Sequence, residues 1–394
     1  MHIVLSGYYG FDNVGDDAIM YAIIQALRKI DAGVEITVLS NNPAATQREF
    51  GVSAVNRWKL GEVSAVLKRA DGLISGGGSL MQDATSMKTI PYYAGIIRMA
   101  KMHGTPVFVY AQGMGPIHKG LSKWITKSTF NKVDGVTVRD VESLELLHNI
   151  GVRSGRGKAT LEKAWSRAGF VGVSPAHLDG DDVAAIVPDP VIGIDASQFR
   201  CGWLDNEMLD GRLAGKEFVS VSVRDWPSDF NFKKEIAAGL DAIAAAGFSI
   251  VFIPMHGEHD DVTSHEIAGM MQAESLVAPF NVPIEEKIAV IGGSKLLIGM
   301  RLHSLIFAGI AYTPFVALSY DPKIDSFAAI VEQPVVGHVV DGGWDGARLA
   351  AASLAVIEDE ARYEAEVATL RERIDVLKSQ AELTAQMAWA TFQK

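Results

Sequence analysis

Cysteine is nearly absent from this chain of 394 residues, in which Cys201 is the only one. A single thiol excludes an intrachain disulfide and a metal site built from several thiolates. Basic charge is also scarce, because 36 Lys and Arg stand against 47 Asp and Glu, for a formal net charge of −11. This balance argues against a general nucleic-acid binder. An acidic protein that binds an anion must concentrate a few cations at one site, so individual arginines are informative.

Long apolar runs are missing as well. No segment approaches the ~18 uninterrupted apolar residues that suggest a membrane-spanning helix. The N-terminal run His2–Ser6 is short and lacks the basic start and extended apolar core of a signal peptide. These absences favour a cytoplasmic protein, which can still meet the inner face of the plasma membrane through a lipid-linked substrate.

Short apolar runs alternate along the chain with segments of helical periodicity. This alternation is typical of parallel sheets with crossover helices, and the chain is long enough for two such domains. The first set of predicted strands is His2–Ser6, Glu35–Leu39, Gly72–Ser75, Pro106–Ala111 and Gly135–Val138. The second set is Phe218–Val223, Ser249–Pro254, Lys295–Ile298 and Phe315–Leu318. Residues 152–192, rich in Gly, Ser and Asp, are interpreted as a linker with an excursion.

The predicted domains are a Rossmann-like unit over residues 1–175, a second over 190–360 and a C-terminal helix over 361–394. An apolar stripe along that helix favours packing on the body of the protein over a coiled-coil partner. The predicted fold class is α/β, with two doubly wound domains facing a central cleft. Ligands of such sheets bind beyond the carboxyl ends of the strands, where the motifs are therefore judged.

The first motif, Gly-Tyr-Tyr-Gly-Phe-Asp-Asn-Val-Gly-Asp-Asp, covers residues 7–17 and follows the first predicted strand. Its carboxylates would repel a pyrophosphate, and its spacing fits neither G-x-G-x-x-G nor a Walker sequence. The side chains of Asp12, Asn13 and Asp16 suit sugar hydroxyls. Capping of the following helix is an equal alternative.

Glycines follow two further predicted strands. Three glycines come directly after Gly72–Ser75, and a tight turn alone needs only one or two, so a ligand is expected close to Gly77 and Gly78. The sequence Gln-Gly-Met-Gly over residues 112–115 lines the same predicted edge or forms a simple turn.

Cationic side chains occur where the remaining predicted strands end: Arg139, Arg224, Arg301, His303 and Lys323. Arg139 and Arg224 are each followed by an aspartate at the end of a predicted strand, and this repetition indicates that one or both face a shared anion. Pairing with Asp140 is the alternative for Arg139. Arg301 and His303 lie at a predicted helix start, where positive charge opposes the helix dipole and a bound anion would relieve the conflict. Lys323 is either a further cation at the site or a solvated side chain.

Two histidines, His256 and His259, follow the predicted strand Ser249–Pro254 together with carboxylates. Their spacing matches no standard metal site. A polar loop is therefore favoured, and no metal is expected.

These motifs, in this order, resemble the polysaccharide pyruvyltransferase family. The matching residues are 7–17, Gly76–Leu80, Arg139–Asp140, Asp189–Pro190, Pro254–His256, Arg301–Ser304 and Ser319–Lys323. The N-terminal motif is most similar to the branch that acts on bacterial secondary cell-wall polymers, where N-acetylmannosamine is the acceptor. The stretch 153–187 matches no motif of the family.

The resemblance implies a GT-B-like fold, phosphoenolpyruvate as the donor substrate and no cofactor. It places Arg139, Arg301 and His303 at donor-binding and catalytic positions. Arg224 and Lys323 are assigned to the donor as well, and the residues of the two N-terminal motifs to the acceptor. The expected partners are phosphoenolpyruvate and a lipid-linked saccharide, with no nucleic acid, and the oligomeric state is left open.

Phosphoenolpyruvate carries a phosphate and a carboxylate, which guanidinium groups bind bidentately. In the predicted reaction His303 transfers a proton to the methylene carbon, and a sugar hydroxyl attacks the central carbon. A second hydroxyl then displaces phosphate and closes a cyclic ketal, with Asp12 or Asp16 as the base. Two other classes stay open: a GT-B glycosyltransferase that uses a nucleotide sugar, and a non-catalytic sugar-binding protein.

Overall fold

The computed structural model describes residues 1–84, 86–153 and 184–393. The chain divides into two compact units. Unit 1 contains Met1–Gly193 together with Leu377–Lys394, and unit 2 contains Ile194–Val376. Most of the stretch predicted as a linker, residues 154–183, lies outside the described residues.

Unit 1 is built on one parallel sheet. Its described strands are β1 (His2–Ser6), β2 (Glu35–Ser40), β3 (Ser53–Asn56), β4 (Gly72–Gly76), β5 (Val107–Gln112), β6 (Gly135–Val138) and β7 (Ala185–Ile186). Its helices between them are α1 (Val14–Ile30), α2 (Pro43–Phe50), α3 (Leu60–Arg69), α4 (Thr89–Met102), α5 (Gly120–Phe130) and α6 (Val141–Asn149). The strand order is β3-β2-β1-β4-β5-β6-β7, so the direction of succession reverses between β1 and β4. That reversal is the switch point where ligands of doubly wound sheets bind.

The central strands of unit 1 are apolar because helices cover the sheet. β4 and β5 are buried along their whole length, as expected for parallel strands. α3 and α4 pack their apolar faces on the sheet and share one core with it. α1 begins where the Asn13 side chain accepts a hydrogen bond from the Gly15 amide, and it carries acidic residues in its first turn and basic ones in its last.

Unit 2 repeats this plan. Its described strands are β8 (Phe218–Ser222), β9 (Ser249–Phe252), β10 (Ser275–Val277), β11 (Leu296–Gly299), β12 (Phe315–Ser319) and β13 (Val335–His338). Its helices are α7 (Gly202–Leu209), α8 (Phe232–Ala245), α9 (Gly257–Met270), α10 (Ile284–Gly292), α11 (Leu302–Ile310), α12 (Pro322–Ile330) and α13 (Gly346–Ile357). The strands are parallel in the order β10-β9-β8-β11-β12-β13, with the switch point between β8 and β11. The α/β class with two doubly wound sheets is confirmed.

The last helix, α14, runs from Glu360 to Phe392. In unit 2 the Ile374 side chain lies 2.7 Å from the place that a Cβ on Gly309 would occupy. In unit 1 the Phe392 ring fills the equivalent space over Gly72. Glycine at these two positions therefore makes room for the helix. Within the described residues, no helix combines the length and the apolarity that crossing a bilayer requires.

Candidate functional site

The switch point of unit 1 is formed by the loop after β1. Arg57, which is buried, donates from Nη1 to the Gly7 carbonyl at 2.9 Å and lies against the Phe11 ring. Tyr9 Oη donates to the Gly76 carbonyl at 3.0 Å and so joins this loop to the end of β4. The first motif is thus fixed from two sides. The sequence does not predict Arg57 as a site residue. Only the tertiary structure brings Arg57 to the loop after β1.

Two of the residues predicted to bind the acceptor are hydrogen-bonded to each other. Asn13 Nδ2 donates to Asp16 Oδ2 at 2.6 Å, while Asn13 Oδ1 accepts from the Gly15 amide at 3.2 Å. The capping alternative is therefore correct for Asn13. Asp12 is exposed and has a left-handed backbone, with φ of 57°. Sugar binding by these three side chains stays a prediction.

The glycines after β4 have structural reasons of their own. Gly77 and Gly78 both have φ of 66°, which disfavours any side chain. A Cβ on Gly77 would collide with Ile19, and a Cβ on Gly78 would lie 2.7 Å from Asp16 Oδ1. The Asp16 carboxylate therefore lies directly over the Gly78 backbone, so the structure brings the first two motifs together.

Asp17, which lies outside the predicted site, has a strongly perturbed carboxyl group. Burial, and then the neighbouring Asp16 charge, raise the pKa of Asp17 from 3.8 to about 7, although a hydrogen bond from the Gly10 amide opposes the shift. A carboxyl group that titrates near neutrality can accept a proton during a reaction at physiological pH. The two adjacent aspartates of the first motif, Asp16 and Asp17, are the sequence signal from which this shift could have been predicted.

Arg139 lies where four of the sequence motifs meet. Its Nη2 donates to Ser79 Oγ at 3.2 Å, its Nε lies 3.4 Å from Asp140 Oδ2, and its Nη1 lies 3.7 Å from Asp189 Oδ2. A Cβ on Gly113 would lie 2.8 Å from Arg139 Nη2, so the absence of a side chain there makes room for the guanidinium. Pairing with Asp140, the alternative considered for Arg139, is therefore present.

Gln112 lies at the end of β5, beside the same group of residues. It is fully buried, and neither its Oε1 nor its Nε2 has a hydrogen-bond partner among the described residues. A buried amide without partners is costly and is often found where a ligand or an ordered water completes the network. Gln112 was considered only as part of a turn, and burial is the signal that distinguishes it.

The dominant contact at the switch point of unit 2 is an ion pair between Arg301 and Asp260. Arg301 Nε donates to Asp260 Oδ2 at 2.8 Å, and its Nη2 donates to Asp260 Oδ1. The Asp260 side chain is 1% exposed and also accepts from the Met255 amide at 3.2 Å. The Nη1 side of the guanidinium is not engaged by Asp260. The sequence indicates Asp260 only as one of the carboxylates beside His256 and His259, and its pairing with Arg301 is missed because 41 residues separate the two.

His303 lies in the first turn of α11, two residues after Arg301, which is the N-cap residue. Arg301 has extended backbone angles and the helix begins at Leu302, so the backbone changes from extended to helical between Arg301 and His303. His256 is a second imidazole at this edge. Burial and then the Arg301 charge lower the pKa of His256 below its ordinary value of 6.5, which favours the neutral ring.

The other two predicted cations are held by neighbours of different kinds. Arg224 Nη1 donates to Tyr320 Oη at 2.8 Å, and its guanidinium lies over the rings of Tyr320 and Trp226. The Asp225 carboxylate that follows Arg224 in the chain pairs with Lys233 at 2.8 Å. Lys323 pairs with Asp321, the N-cap residue of α12, at 3.0 Å.

A buried lysine that sequence reasoning missed supports the Arg301 edge. Lys287 Nζ donates to the carbonyls of Pro254 and Phe280, both at 2.8 Å. Burial lowers the pKa of Lys287 to about 8. The ammonium group thus holds the loop that leads to His256. Among the described residues, no three His, Cys, Asp or Glu side chains are arranged to bind a metal ion.

Comparison with known proteins assigns the family. Residues 13–322 match the sequence model of polysaccharide pyruvyl transferases. The chain belongs to this family. It is also 22% identical to the amylovoran biosynthesis protein AmsJ of Erwinia amylovora, over 96% of this chain and 100% of that protein.

Solved structures show the fold. The Anabaena protein HepE in complex with UDP-glucose has a TM-score of 0.58 at 14% identity, covering 99% of this chain and 98% of its own. The Neisseria meningitidis UDP-GlcNAc 2-epimerase bound to UDP-GlcNAc has a TM-score of 0.56 at 9% identity, covering 96% and 99%. The E. coli ADP-heptose heptosyltransferase II has a TM-score of 0.51 at 14% identity, covering 92% and 100%. The GT-B-like fold is thereby confirmed, and it fits a transferase of the pyruvyltransferase family.

Proposed function

We propose that this enzyme transfers the three carbons of phosphoenolpyruvate to two hydroxyls of a sugar, forming a cyclic pyruvate ketal and releasing phosphate. The observation that carries the proposal is the contrast between the two switch points. In unit 1 the loop after β1 presents Asp12, Asn13 and Asp16, while Arg57 there is buried against the Gly7 carbonyl. In unit 2 Arg224, Arg301 and His303 follow strands in matching order. Neutral sugar hydroxyls suit the first group, and a small dianion suits the second.

For the donor, Arg301 is the principal ligand. Asp260 holds the Nε and Nη2 edge of its guanidinium, and Nη1 takes no part in that ion pair. Arg224 and Lys323 are the further unit 2 cations proposed to bind phosphoenolpyruvate, and the family resemblance assigns Arg139 to the donor as well. Each charge-assisted hydrogen bond contributes about 1.5–3 kcal/mol net, so two or three suffice to bind a dianion from an acidic protein.

For the chemical step, His303 donates a proton to the methylene carbon, which becomes the methyl group of the product. The central carbon gains positive character, and the first sugar hydroxyl bonds to it. The second hydroxyl then bonds to the same carbon while the C–O bond to phosphate breaks, and phosphate leaves with that electron pair. The two hydroxyl protons balance the proton given to carbon and the one taken up by phosphate.

For the acceptor, Asp16 lies over the Gly78 backbone and is oriented by Asn13, so it is the better placed of the two candidate bases. Asp12 is exposed and has no such support. The proposed acceptor is N-acetylmannosamine in a lipid-linked precursor of a secondary cell-wall polymer, the kind of polymer that anchors S-layers. The proposed location is the cytoplasmic face of the plasma membrane, without a cofactor or a metal.

One assay tests the proposal. The protein is incubated with phosphoenolpyruvate and a hydroxyl-bearing N-acetylmannosaminide, and phosphate release and the mass of the acceptor are measured together. Stoichiometric phosphate and an acceptor heavier by one carboxyethylidene group are expected. Turnover of UDP-sugars with no use of phosphoenolpyruvate would instead establish a glycosyltransferase, a class favoured by the nucleotide-sugar enzymes that share this fold.

The role of Arg301 is tested by the change Arg301→Lys. Lysine keeps a positive charge beside Asp260 but cannot present two parallel donors. The KM for phosphoenolpyruvate is expected to rise about tenfold or more, with a smaller change in the KM for the acceptor. Normal saturation by phosphoenolpyruvate would remove Arg301 from the donor site.

A further inference from the structure

Residues 84–133 have a charge opposite to that of the whole protein. The segment contains seven Lys or Arg residues and neither Asp nor Glu, whereas the chain carries a formal net charge of −11. It comprises α4, β5 and α5, and the two helices pack together, with Arg98 Nη2 donating to Ser128 Oγ at 2.5 Å. Positive charge is thus gathered on one helical layer of unit 1.

The outer face of α5 combines this charge with exposed apolar side chains. Ser122, Thr126 and Phe130 point inward and are buried. Leu121 and Trp124 are 69% and 60% exposed on the opposite side. The exposed lysines of α5 and of the residues that flank it are Lys119, Lys123, Lys127 and Lys132. Large apolar side chains that stand in water beside a row of lysines indicate an interaction surface.

The position of this face connects it to the candidate acceptor site. α4 leads from β4 to β5 and α5 leads from β5 to β6, so right-handed crossovers place both helices on the same side of the sheet. Both helices begin at the carboxyl ends of the strands. Leu121, in the first turn of α5, therefore lies toward the edge that carries Ser79 and Arg139.

We propose that the outer face of α5 docks on an anionic lipid bilayer. Tryptophan favours the membrane interface, and lysines near an anionic leaflet contribute electrostatic attraction, so the two features of the face fit one partner. A nucleic acid would use the lysines but gives no reason for the exposed Leu121. A second copy docked through this same face would use the apolar pair, but a two-fold interface would set the lysine row of one copy against that of the other. The inference goes beyond the proposed reaction and does not require it.

The test is co-sedimentation of the full-length protein with phosphatidylglycerol vesicles or phosphatidylcholine vesicles. Binding to phosphatidylglycerol is expected, weaker at high salt because exposed charges are screened. The change Lys123→Glu/Lys127→Glu is expected to lower the partition coefficient by about 30-fold or more. The change Leu121→Ser/Trp124→Ser is expected to lower it by about tenfold.

Matched controls separate the face from general surface effects. Lys68→Glu/Lys216→Glu makes the same change in net charge at exposed lysines of α3 and of unit 2, and it should sediment nearly as the unchanged protein does. Leu209→Ser removes an apolar side chain that is 74% exposed in unit 2, and it should do the same. Circular dichroism and turnover of a soluble acceptor should be unchanged in every variant.

Three results would overturn the docking proposal. One is an unchanged protein that binds phosphatidylcholine and phosphatidylglycerol equally weakly. Another is normal vesicle binding by both α5 variants. The third is a change of oligomeric state, or of binding to a DNA fragment, in these variants without a change in vesicle binding. Ketal formation without vesicle binding would refute docking alone, and vesicle binding without ketal formation would refute the proposed reaction alone.

Discussion

The switch points of the two sheets share a strand order and differ in charge. In unit 1 the loops after β1 and β4 present Asp12, Asn13 and Asp16 around a glycine turn. In unit 2 the loops after β8 and β11 present Arg224 and Arg301, with His303 beside them. The repeated fold therefore supplies two equivalent positions for ligands, and the side chains at each position decide which chemistry it accepts.

Two of the three arginines assigned to the donor are also held differently. Arg301 is held by one buried carboxylate through two hydrogen bonds, one of them 2.8 Å long. Arg139 contacts Ser79, Asp140 and Asp189 at 3.2–3.7 Å, which are long distances for hydrogen bonds. The orientation of Arg301 thus depends on a single partner, whereas that of Arg139 depends on several weaker ones.

The largest effect is expected from His303→Ala. If the unit 2 switch point holds the proton carrier, kcat should fall by roughly 10²–10⁴-fold while the KM for the acceptor changes little. Steady-state phosphate release measures both constants. His265→Ala, at an exposed histidine of α9, should retain normal turnover. An unchanged rate in His303→Ala would remove this histidine from the mechanism and weaken the contrast between the switch points.

Removing the partner of Arg301 should destabilise unit 2 strongly. Asp260→Asn leaves a largely buried guanidinium without its counter-charge, which costs about 3–5 kcal/mol in free energy of unfolding. Asp140→Ala in unit 1 removes mainly the N-cap of α6 and should cost only about 1 kcal/mol. Hydrogen exchange at α9 and α6 amides in urea locates each loss. Equal losses would refute the difference drawn between the two arginines.

A smaller effect on the other switch point is expected from Gly78→Ala. The left-handed backbone penalises a side chain by about 1–2 kcal/mol, and the new methyl group displaces the Asp16 carboxylate. The KM for the acceptor should rise severalfold while the KM for phosphoenolpyruvate stays constant. Gly61→Ala should change neither constant, because an added Cβ at Gly61 would meet no atom within 4 Å. A rise confined to the donor KM would contradict the assignment of unit 1 to the acceptor.

A separate effect concerns the pH dependence of stability. The pKa of Asp17 is raised from 3.8 to about 7, so folding opposes its ionisation, and the protein loses stability as the pH rises between these values. Asp17→Asn should remove that loss, gaining stability relative to the unchanged protein between about pH 4 and pH 7 and no more above it. Urea unfolding at several pH values measures the difference. Asp205→Asn, at an exposed position, should follow the unchanged protein. If the unchanged protein instead lost stability on acidification relative to Asp17→Asn, Asp17 would be stabilised as a carboxylate.

Much of the fold could be predicted because the interior strands are recognisable locally. All nine predicted strands are present, with ends shifted by two residues or fewer. The strands that were not predicted, β3, β7, β10 and β13, are the outermost strands of the two sheets. Edge strands pair on one side only and are short, so they lack the continuous apolar run that reveals a buried strand.

The sequence by itself determined the helix caps, the order of the motifs and their placement after strands, because these depend on residues a few positions apart. Only the tertiary structure decided which partner each functional side chain has. Asp260 reaches Arg301 across 41 residues, and Arg57 reaches the Gly7 carbonyl across 50. Such contacts exist because strand order brings distant loops to one edge of a sheet, and a burial pattern along the chain does not encode which loops become neighbours.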